Sequence, residues 1–408
     1  MIHRVGIIGG GLAGLYAAWA LEQAGVDCVL LEARERCGGR LLTTSARTEH
    51  GSVCAFDLGA TWYWPALQPE VGRLVDALGL RSFSQFDDGD LVFEQQPGGV
   101  RRFRGFDPSP PSMRLAGGMG ALVQTLQDRV GPERLHLGHR VTSLAASESA
   151  VVIDAQDAAG GRHVFEVGHV LLAVPPRLAV ATMRFEAALP AGDRSDWAAC
   201  ATWMAPHAKY LAAYPAPFWR GQGLCGGARS RSGPLVEVHD ASGPEGPGAL
   251  FGFVGVPAVQ RARLSEASLR AMCRAQLGRL FGAEAAAPLE DWLQDWSREP
   301  FTATDADLVA TGEHMPAAVQ VRDARQAPGP WAIADLDGHR QRMVDRVSGL
   351  RRGCPRCRPG GRRSGRGQPP IRRDAPVVRQ RVTARLPWFE RARRCRAPVP
   401  EVSATPAR

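Results

Sequence analysis

The sequence predicts an α/β protein of more than one domain that ends in an irregular C-terminal tail. Residues 4–32 have the pattern of a strand, a glycine-rich turn, a helix and a second strand, which together form one βαβ unit. Residues 139–175 have the pattern of a β-meander, and the composition changes to Arg, Pro and Gly after residue 350. With 408 residues and 44% hydrophobic composition, the chain is long enough for two or three domains, so a globular enzyme is expected.

The later elements follow from local patterns. A glycine-led helix is predicted near 116–130, and strand-like runs follow at 201–214 and 234–256. Ser265 is a suitable N-cap for a helix that extends to Gly282. The apolar positions of this helix recur at helical spacing and are expected to face the core: Leu269, Met272, Cys273, Leu277 and Leu280.

Charge divides the chain into two parts. The formal net charge is +9, but residues 351–408 alone contain 17 arginines and three acids. The preceding 350 residues carry 33 basic and 38 acidic side chains and are therefore mildly acidic. A basic tail can bind nucleic acid through phosphates, but its only aromatic residues are Trp388 and Phe389, and it contains no binding motif. No specific nucleic-acid partner is expected.

Cysteine usage indicates the compartment. The nine cysteines lack the dense spacing of a disulfide scaffold and are expected to be reduced thiols. The C-x-x-C pair of Cys354 and Cys357 has no second pair and no nearby histidine, so no metal site is expected. The chain enters a strand almost at once, and no apolar run approaches the roughly 20 residues of a membrane span. We expect a cytoplasmic protein with no signal peptide and no membrane span.

The segment GGGLAG at 9–14 fits G-x-G-x-x-G between the first strand and helix, and Glu32 ends the second strand. In this motif Gly9 makes the turn, Gly11 lets the backbone approach a pyrophosphate, and Gly14 packs the helix on the strand. The helix N-terminus favours the negative charge of the diphosphate. Glu32 is expected to accept hydrogen bonds from the ribose hydroxyls. These features predict dinucleotide binding.

Two further segments extend the βαβ unit. Gly38, Gly39 and Arg40 lie in LLEARERCGGRLLT, and FDLGATWYW follows at 56–64. Adjacent glycines let the chain pass close to a cofactor, and Arg40 can neutralise phosphate charge. The arrangement closely resembles the flavin-containing, monoamine oxidase-like amine oxidase family. In that family E-A-x-x-x-x-G-G-R continues the first βαβ unit, and D-x-G-A lies beside the flavin.

The resemblance continues at RLAGGMGAL (114–122) and VLLAVPPRLA (170–179). It implies FAD as cofactor, with the main chain of Val141 against the adenine. It also implies that Lys209, the only lysine in the sequence, holds a water near the flavin; a solvated strand lysine is the alternative. The cofactor-binding residues implied are Gly9, Gly11, Ala13, Gly14, Glu32, Ala33, Gly39, Arg40, Leu41, Gly59, Ala60, Thr61 and Val141.

The resemblance implies a split Rossmann-like FAD-binding domain interleaved with an α+β substrate domain. The FAD-binding ranges are 1–62, 113–185 and a remnant at 301–340. The substrate-domain ranges are 63–112 and 186–300, and a non-native tail follows at 341–408. The implied reaction is hydride transfer from a neutral amine to the flavin, with O₂ as acceptor. A desaturase or porphyrinogen-type oxidase acting on C–C bonds is the alternative within the superfamily.

Several other residues are candidates for the site. Trp62, Trp219 and Trp296 are expected to wall an apolar substrate pocket, although a core of this size also accommodates tryptophans. Glu237 and His239 alternate along one face of a predicted strand and could be two metal ligands. No third ligand is evident in the sequence, so a surface pair is favoured.

The amine oxidase family closes its fold with a strand, a Gly-Thr-Glu turn and a helix near G-Y-L-E-G-A, which residues 316–408 do not spell. The codons permitted by Gly338–Cys354, read one nucleotide later, allow the similar string G-T-G-S-E-W-S-T-G-Y-L-D-Y-V-E-G-A. We hypothesise a frameshift between about His314 and Trp331, and an inactive product is therefore a third alternative. A nucleotide sequence with no long open frame carrying this motif one base away would contradict the hypothesis.

Overall fold

The computed structural model describes residues 3–47, 53–95, 99–105, 109–146, 150–186, 191–308 and 331–333. All of these residues lie in one compact unit that comprises residues 1–357. The predicted tail at 341–408 and almost all of the hypothesised frameshift window lie outside the described residues.

The strands have these bounds in chain order: β1 His3–Ile8, β2 Cys28–Leu31, β3 Thr43–Arg47, β4 Val53–Asp57, β5 Ser82–Ser84, β6 Asp90–Gln95, β7 Gly99–Arg104, β8 Met113–Leu115, β9 Leu135–His136, β10 Arg140–Ala146, β11 Val151–Gln156, β12 Arg162–Leu172, β13 Arg184–Phe185, β14 Ala208–Tyr214, β15 Leu224–Ser230, β16 Leu235–Asp240, β17 Gly248–Val254, β18 Glu290–Asp295 and β19 Trp331–Ile333. The α-helices are α1 Leu12–Gln23, α2 Pro69–Ala77, α3 Gly118–Val130, α4 Pro176–Thr182, α5 Ala191–Ala199, α6 Phe218–Gly221, α7 Ala258–Arg261 and α8 Glu266–Phe281.

An eight-stranded sheet contains the predicted βαβ unit. Its order is β13-β10-β11-β12-β1-β2-β9, and β19 also pairs with β12. Strand β1 is parallel to β12 and to β2, with α1 as the crossover between β1 and β2. Because parallel strands are covered on both faces, β1 and β2 are almost continuously apolar. The predicted α/β class is confirmed, and the carboxyl ends of β1 and β2 meet at one edge of the sheet.

Strand β12 changes partners along its length. Its first part is antiparallel to β11, which with β10 forms the predicted meander. Its last residues are parallel to β19. A strand from the predicted remnant at 301–340 therefore joins the sheet beside β12.

A seven-stranded sheet has the order β18-β14-β17-β16-β15-β6-β7. One of its faces packs on α8 through Leu269, Cys273 and Leu277, which are almost fully buried. Ser265 caps α8 as predicted, since its hydroxyl accepts a hydrogen bond from the Ser268 N–H at 3.1 Å. The predicted core position of Met272 is wrong: it is 40% exposed, at the edge of the apolar stripe.

The two large sheets are formed by strands from different parts of the chain. Every strand of the eight-stranded sheet lies within 1–62, 113–185 or 301–340, the predicted FAD-binding ranges. Every strand of the seven-stranded sheet lies within 63–112 or 186–300. This partition supports the predicted interleaved domain boundaries, which we retain as a proposal.

Candidate functional site

A tight bend follows β1 at Gly9–Gly14. Gly9 has φ +106°, and a Cβ added there would lie 2.6 Å from the carbonyl oxygen of Ala173. A Cβ on Gly14 would lie 1.9 Å from the carbonyl oxygen of Gly9. A Cβ on Gly11, in contrast, would meet no described atom within 4 Å. The backbone of the bend is therefore packed against other backbone atoms at Gly9 and Gly14, whereas there is free space beside it at Gly11.

Helix α1 begins at Leu12, directly after the open position. Among the described residues, no side chain caps its N-terminus. The first N–H groups of such a helix lack intrahelical partners and carry partial positive charge. A diphosphate is a suitable anion for this helix end.

Glu32 lies immediately after β2, beside the bend. Its Oε2 accepts a hydrogen bond from the Gly10 N–H at 2.6 Å, and its Oε1 accepts one from the Arg34 N–H at 2.9 Å. The Glu32 N–H donates to the His136 carbonyl, and the Glu32 carbonyl accepts from the His139 N–H. The carboxylate is buried and directed at the bend, and its contact with a ribose stays a prediction.

Gly38 and Gly39 approach the bend from a second side. The Gly38 N–H donates to the Gly10 carbonyl at 2.8 Å, and both glycines have positive φ, at 101° and 56°. The Arg36 guanidinium donates to the carbonyls of Cys37 and Gly39 at 3.2 Å. The sequence analysis did not identify this contact, because no sequence pattern pairs the Arg36 side chain with the Gly39 carbonyl. Arg36 fixes the backbone that passes the bend.

Arg40 is directed at the loop before β14. Its Nη1 donates to the carbonyl of Trp203 at 2.8 Å. The next residue of the loop, Met204, has φ +60°, a region that non-glycine residues rarely adopt. The predicted phosphate role of Arg40 stays a prediction.

Lys209 on β14 is brought against the segment that follows β4. Its Nζ donates to the carbonyls of Asp57 at 3.1 Å and Gly59 at 2.7 Å, and to the Thr61 hydroxyl at 2.7 Å. The ammonium nitrogen also lies 4.1 Å from the ring centroid of Phe251. Lys209 is 3% exposed, so the alternative of a solvated strand lysine is wrong.

Burial has a large effect on the protonation of Lys209. Desolvation lowers the pKa of the side chain from 10.5 to about 7; the carboxylate of Asp57 opposes this shift and the charge of Arg114 adds to it. Near neutral pH the lysine is therefore partly a neutral amine. In that form its lone pair can accept a hydrogen bond from water.

Asp57 links the Lys209 segment to helix α3. Its Oδ1 accepts hydrogen bonds from the Met119 N–H at 2.8 Å and from the Thr43 hydroxyl at 2.7 Å. Met119 is the second residue of α3, so Asp57 caps this helix from a distant part of the sequence. Burial raises the pKa of Asp57 above its usual range, although the hydrogen bond from Thr43 and the charge of Lys209 oppose the shift.

Replacement of Asp57 by alanine is expected to lower the free energy of unfolding by about 2 kcal/mol, because buried donors lose their acceptor. Urea unfolding of the wild type and Asp57→Ala measures the difference. The matched control is Asp76→Ala, at the exposed end of α2, which is expected to change stability little. Equal stability losses in the two variants would contradict the capping role.

Trp62 follows Thr61 in the sequence, and its ring is part of an aromatic cluster. Its ring centroid is 4.8 Å from that of His239 and 5.2 Å from that of Phe251. Its Nε1 donates to the Gln85 side-chain oxygen at 2.8 Å. Trp62 is half-buried next to the Lys209 site, which suits a residue that walls a pocket.

The other two candidate tryptophans differ in position. Trp296 is 6% exposed, and its Nε1 donates to the carbonyl of Leu58 at 3.3 Å, next to the Lys209 segment. Trp219 is fully buried in the core beneath α8, where its Nε1 donates to Asp240 at 2.9 Å and its ring packs on Tyr214. The prediction that Trp219 contacts substrate is corrected, because its ring is enclosed by the core.

The remaining predicted cofactor residues lie on elements around the bend. Ala13 is in the first turn of α1, and Ala33 is two residues beyond β2. Leu41 is partly buried, and Ala60 is exposed in the segment after β4. Val141 is buried on β10. Their contacts with a cofactor stay predictions.

Glu237 and His239 lie on one face of β16, and Nε2 of His239 is 2.7 Å from Oε1 of Glu237. The His239 and Glu237 side chains are 20% and 25% exposed, so they form a partly exposed pair. In the described ranges no group of three or more His, Cys, Asp or Glu side chains is arranged to hold a metal ion. The helices of the same ranges include none that is long and apolar enough to cross a membrane.

A glycine bend and an acid at the carboxyl ends of adjacent parallel strands define a dinucleotide-binding protein. The second sheet places the buried Lys209 beside the segment at Asp57–Thr61. This segment adjoins Arg40, because the Ala60 N–H donates a hydrogen bond to the Arg40 carbonyl. The class is therefore a two-sheet dinucleotide-binding protein in which a buried lysine of the second sheet contacts that segment.

The chain belongs to the family of flavin-containing amine oxidoreductases. The model of this family matches residues 90–330, which is more than half of the chain. A model of the NAD(P)-binding Rossmann-like domain matches residues 7–78. The predicted family and its FAD cofactor are confirmed.

Individual relatives agree with this assignment. AofH of Mycobacterium tuberculosis, which is named as a flavin-containing monoamine oxidase, is 27% identical over 72% of this chain and 83% of its own length. A Dictyostelium discoideum protein named as monoamine oxidase A is 39% identical over 93 residues. That alignment covers 23% of this chain and 19% of the relative.

Solved structures show the same fold. Putrescine oxidase bound to putrescine superimposes with a TM-score of 0.70 at 20% identity, covering 86% of this chain and 99% of that one. Cyclohexylamine oxidase from Brevibacterium oxydans gives a TM-score of 0.69 at 19% identity, with the same coverage.

Proposed function

We propose that the chain is an FAD-dependent oxidoreductase that oxidises the C–N bond of an amine, with O₂ as electron acceptor. The observation that carries this proposal is the placement of Lys209. Three hydrogen bonds fix this buried amine to Asp57, Gly59 and Thr61. Family membership supplies the amine oxidase class, and the geometry supplies the proposed roles of individual residues.

The residues present fit FAD at the bend. The open space at Gly11 and the uncapped start of α1 suit the diphosphate, and Glu32 is placed for the ribose. Arg40 would add positive charge. We propose that the following residues hold the cofactor: Gly9, Gly11, Ala13, Gly14, Glu32, Ala33, Gly39, Arg40, Leu41, Gly59, Ala60, Thr61 and Val141.

When bound, FAD would supply the hydride acceptor and the reaction with oxygen. The protein would supply orientation and a dry pocket. Lys209 would hold a water at the reacting face, which its neutral form can do through the nitrogen lone pair. Trp62 and Trp296 would exclude solvent beside it. A substrate amine that arrives deprotonated needs no general base.

Four described cysteines support a reducing compartment. Cys28, Cys37, Cys225 and Cys273 are buried free thiols. Burial raises the pKa of Cys28 to about 11 and that of Cys37 to about 12, which keeps both thiols protonated and unreactive. We therefore propose a cytoplasmic location.

The purified 408-residue chain provides the test of this function. We expect bound FAD, seen as visible flavin absorbance, that amines bleach without oxygen and that air restores with formation of peroxide. A flavin-loaded protein that no amine reduces would overturn the amine oxidase proposal. A colourless protein that does not take up FAD would favour the inactive, frameshifted product.

A further inference from the structure

Strands β14, β17 and β16 bring a histidine and a glutamate onto the face of the seven-stranded sheet that carries Lys209. Lys209 pairs with Phe253, and Phe253 pairs with Glu237. Two residues further along β16, His239 pairs with Phe251. Because paired residues and alternate residues of a strand share a face, these five side chains lie on one side of the sheet.

Ring contacts connect His239 to the candidate site. Its ring stacks on that of Phe251 at a centroid distance of 5.2 Å, and the Phe251 ring centroid lies 4.1 Å from the Lys209 ammonium nitrogen. The Trp62 ring meets His239 edge-on at 4.8 Å. Since we assign Trp62 to the wall of the substrate pocket, the His239 ring belongs to the same wall.

The two ring nitrogens of His239 differ in their contacts. Nε2 lies 2.7 Å from Oε1 of Glu237. In the described part of the chain, Nδ1 has no hydrogen-bond partner, and it is not fully buried. The side chain is 20% exposed, so a small molecule can reach Nδ1.

The charge of Glu237 fixes the tautomer of His239. Burial alone would raise the pKa of Glu237, but the hydrogen bond from His239 and the charges of His239 and Arg229 hold the pKa below its usual range. The carboxylate is therefore ionised near neutral pH and can only accept hydrogen bonds. Nε2 must then carry the proton of the neutral imidazole, which leaves the lone pair on Nδ1.

An alkylamine substrate has to lose a proton before its C–N bond is oxidised. Its pKa is close to the value of about 10.4 for a lysine side chain, so about one molecule in 2,500 is neutral at pH 7. Hydride leaves the α-carbon only when the nitrogen lone pair is free to form the C=N bond. A base at the pocket wall would supply the neutral amine from the abundant ammonium form.

We propose that His239 is a catalytic base that takes a proton from the ammonium group of the substrate, and that Glu237 is its positioning residue. This inference rests on the proposed amine oxidase function and deepens it. The N–H bond of the substrate breaks, an Nδ1–H bond forms, and the substrate nitrogen keeps the electron pair. Because His239 is partly exposed, the imidazolium can then release the proton to solvent.

Three charged groups lie around His239 on this face of the sheet. The Glu237 carboxylate is bound to Nε2, whereas Nη1 of Arg229 lies 2.5 Å from the other carboxylate oxygen. Lys209 lies beyond the Phe251 ring and is partly neutral near pH 7. The carboxylate is therefore the nearest of the three charges, and it favours transfer of the proton to His239.

The test compares anaerobic flavin reduction by n-pentylamine in the wild type and in His239→Gln. Glutamine keeps a donor for Glu237 but is not a base. At pH 7 we expect the second-order rate of reduction to fall by about hundredfold, the usual effect of a positioned base. At pH 9.5 about a tenth of the amine is neutral in solution, so the variant should come within about threefold of the wild type.

The matched control is His163→Gln. His163, on the eight-stranded sheet, forms a similar pair with Asp157 at 2.7 Å, and it is expected to leave the rate unchanged at both pH values. Glu237→Gln keeps an acceptor for Nε2–H but removes the charge that stabilises the imidazolium. We expect it to lower the rate at pH 7 by about tenfold, the worth of one charged hydrogen bond.

Nitrogen-15 NMR of labelled histidines provides a measurement that does not require turnover. The flavin is reduced chemically beforehand, so that n-pentylamine binds without being oxidised. At pH 8 we expect the added amine to convert Nδ1 of His239 from an unprotonated to a protonated nitrogen. The spectrum of His239→Gln assigns the signal.

The outcomes separate this inference from the proposed function. Flavin that no amine reduces at any pH would overturn the function, and the NMR titration would still decide the role of His239. A wild-type rate in His239→Gln at pH 7, an equal loss at both pH values, or an equal loss in His163→Gln would overturn the inference alone. An Nδ1 signal that the amine does not change would also overturn it. If His239→Gln does not fold, His239→Phe keeps the ring contacts and is expected to show the same loss at pH 7 and recovery at pH 9.5.

Discussion

Gly11→Val is expected to weaken FAD binding at least about hundredfold, roughly 3 kcal/mol, while the protein keeps its stability. The backbone of Gly11 has φ −70° and ψ −177°, an extended conformation that valine adopts readily. Its added Cβ would meet no described atom within 4 Å, so the apoprotein accommodates it. The branched side chain would instead occupy the space that we assign to the diphosphate. Fluorescence titration with FAD measures the loss, and urea unfolding measures the stability.

The matched variant is Gly14→Ala, which adds a smaller side chain three residues away. Its Cβ would lie 1.9 Å from the carbonyl oxygen of Gly9, so helix α1 would have to move off β1. We expect it to lose stability by about 3 kcal/mol or more, comparable to severe overpacking. Gly11→Val that binds FAD like the wild type would show that the diphosphate does not lie at the bend.

Lys209→Met is expected to lower turnover with oxygen by about hundredfold, the usual effect of losing one well-placed polar group in an active site. FAD binding should change less than the oxygen reaction, because Lys209 does not contact the bend to which we assign the diphosphate and ribose, although it does bind Gly59 and Thr61. The measurement compares the rate of the oxygen half-reaction in the wild type and in Lys209→Met, after each has been reduced anaerobically by an amine. Unchanged oxygen reactivity in Lys209→Met would contradict the proposed role.

The rate of the oxygen half-reaction is expected to depend on the protonation of Lys209. Below pH 7 the ammonium donates its three N–H groups to Asp57, Gly59 and Thr61, and above pH 7 the neutral amine can accept a hydrogen bond from water. We therefore expect the oxygen half-reaction to accelerate as pH rises through about 7. Lys209→Arg stays charged and should remove this step, as should Lys209→Met.

The free energy of unfolding should also depend on the ionisation of Lys209. The pKa of Lys209 is about 7 in the folded protein and 10.5 as its ordinary value, so the unfolded chain binds more protons between these limits. The stability contribution of Lys209 therefore rises with pH across that window, and below pH 7 the full cost of burying the ammonium remains. Unfolding of Lys209→Met should be less dependent on pH across the window. A wild type and variant with identical pH profiles would contradict the burial of a titrating amine.

The first βαβ unit was predictable because its determinants are local. Gly9, Gly14 and Glu32 lie within one short segment, and their chemistry follows from spacing between a strand and a helix. Helix α8 was predictable for the same reason, from the Ser265 cap and its apolar stripe. Met272 was misplaced because spacing alone does not fix the width of the buried stripe.

Other features depend on contacts between distant parts of the chain. Lys209 was identified through its resemblance to a family position, but its hydrogen bonds to Asp57 and Thr61 span about 150 residues and have no local pattern. Trp219 was assigned to the pocket because composition does not distinguish a core tryptophan from a pocket wall. The pairing of Glu237 with Arg229 depends on the register of β15 and β16, which emerges only in the folded sheet.

We propose that the bend at Gly9–Gly14 and the Glu32 carboxylate bind the diphosphate and ribose of FAD. The most direct measurement is equilibrium titration of the wild-type chain with FAD and with riboflavin, followed by competition with ADP. We expect FAD to bind at least about hundredfold more tightly than riboflavin and ADP to displace it, because most of the binding contacts are made to the ADP half of FAD. Equal affinity for FAD and riboflavin, with no displacement by ADP, would contradict it.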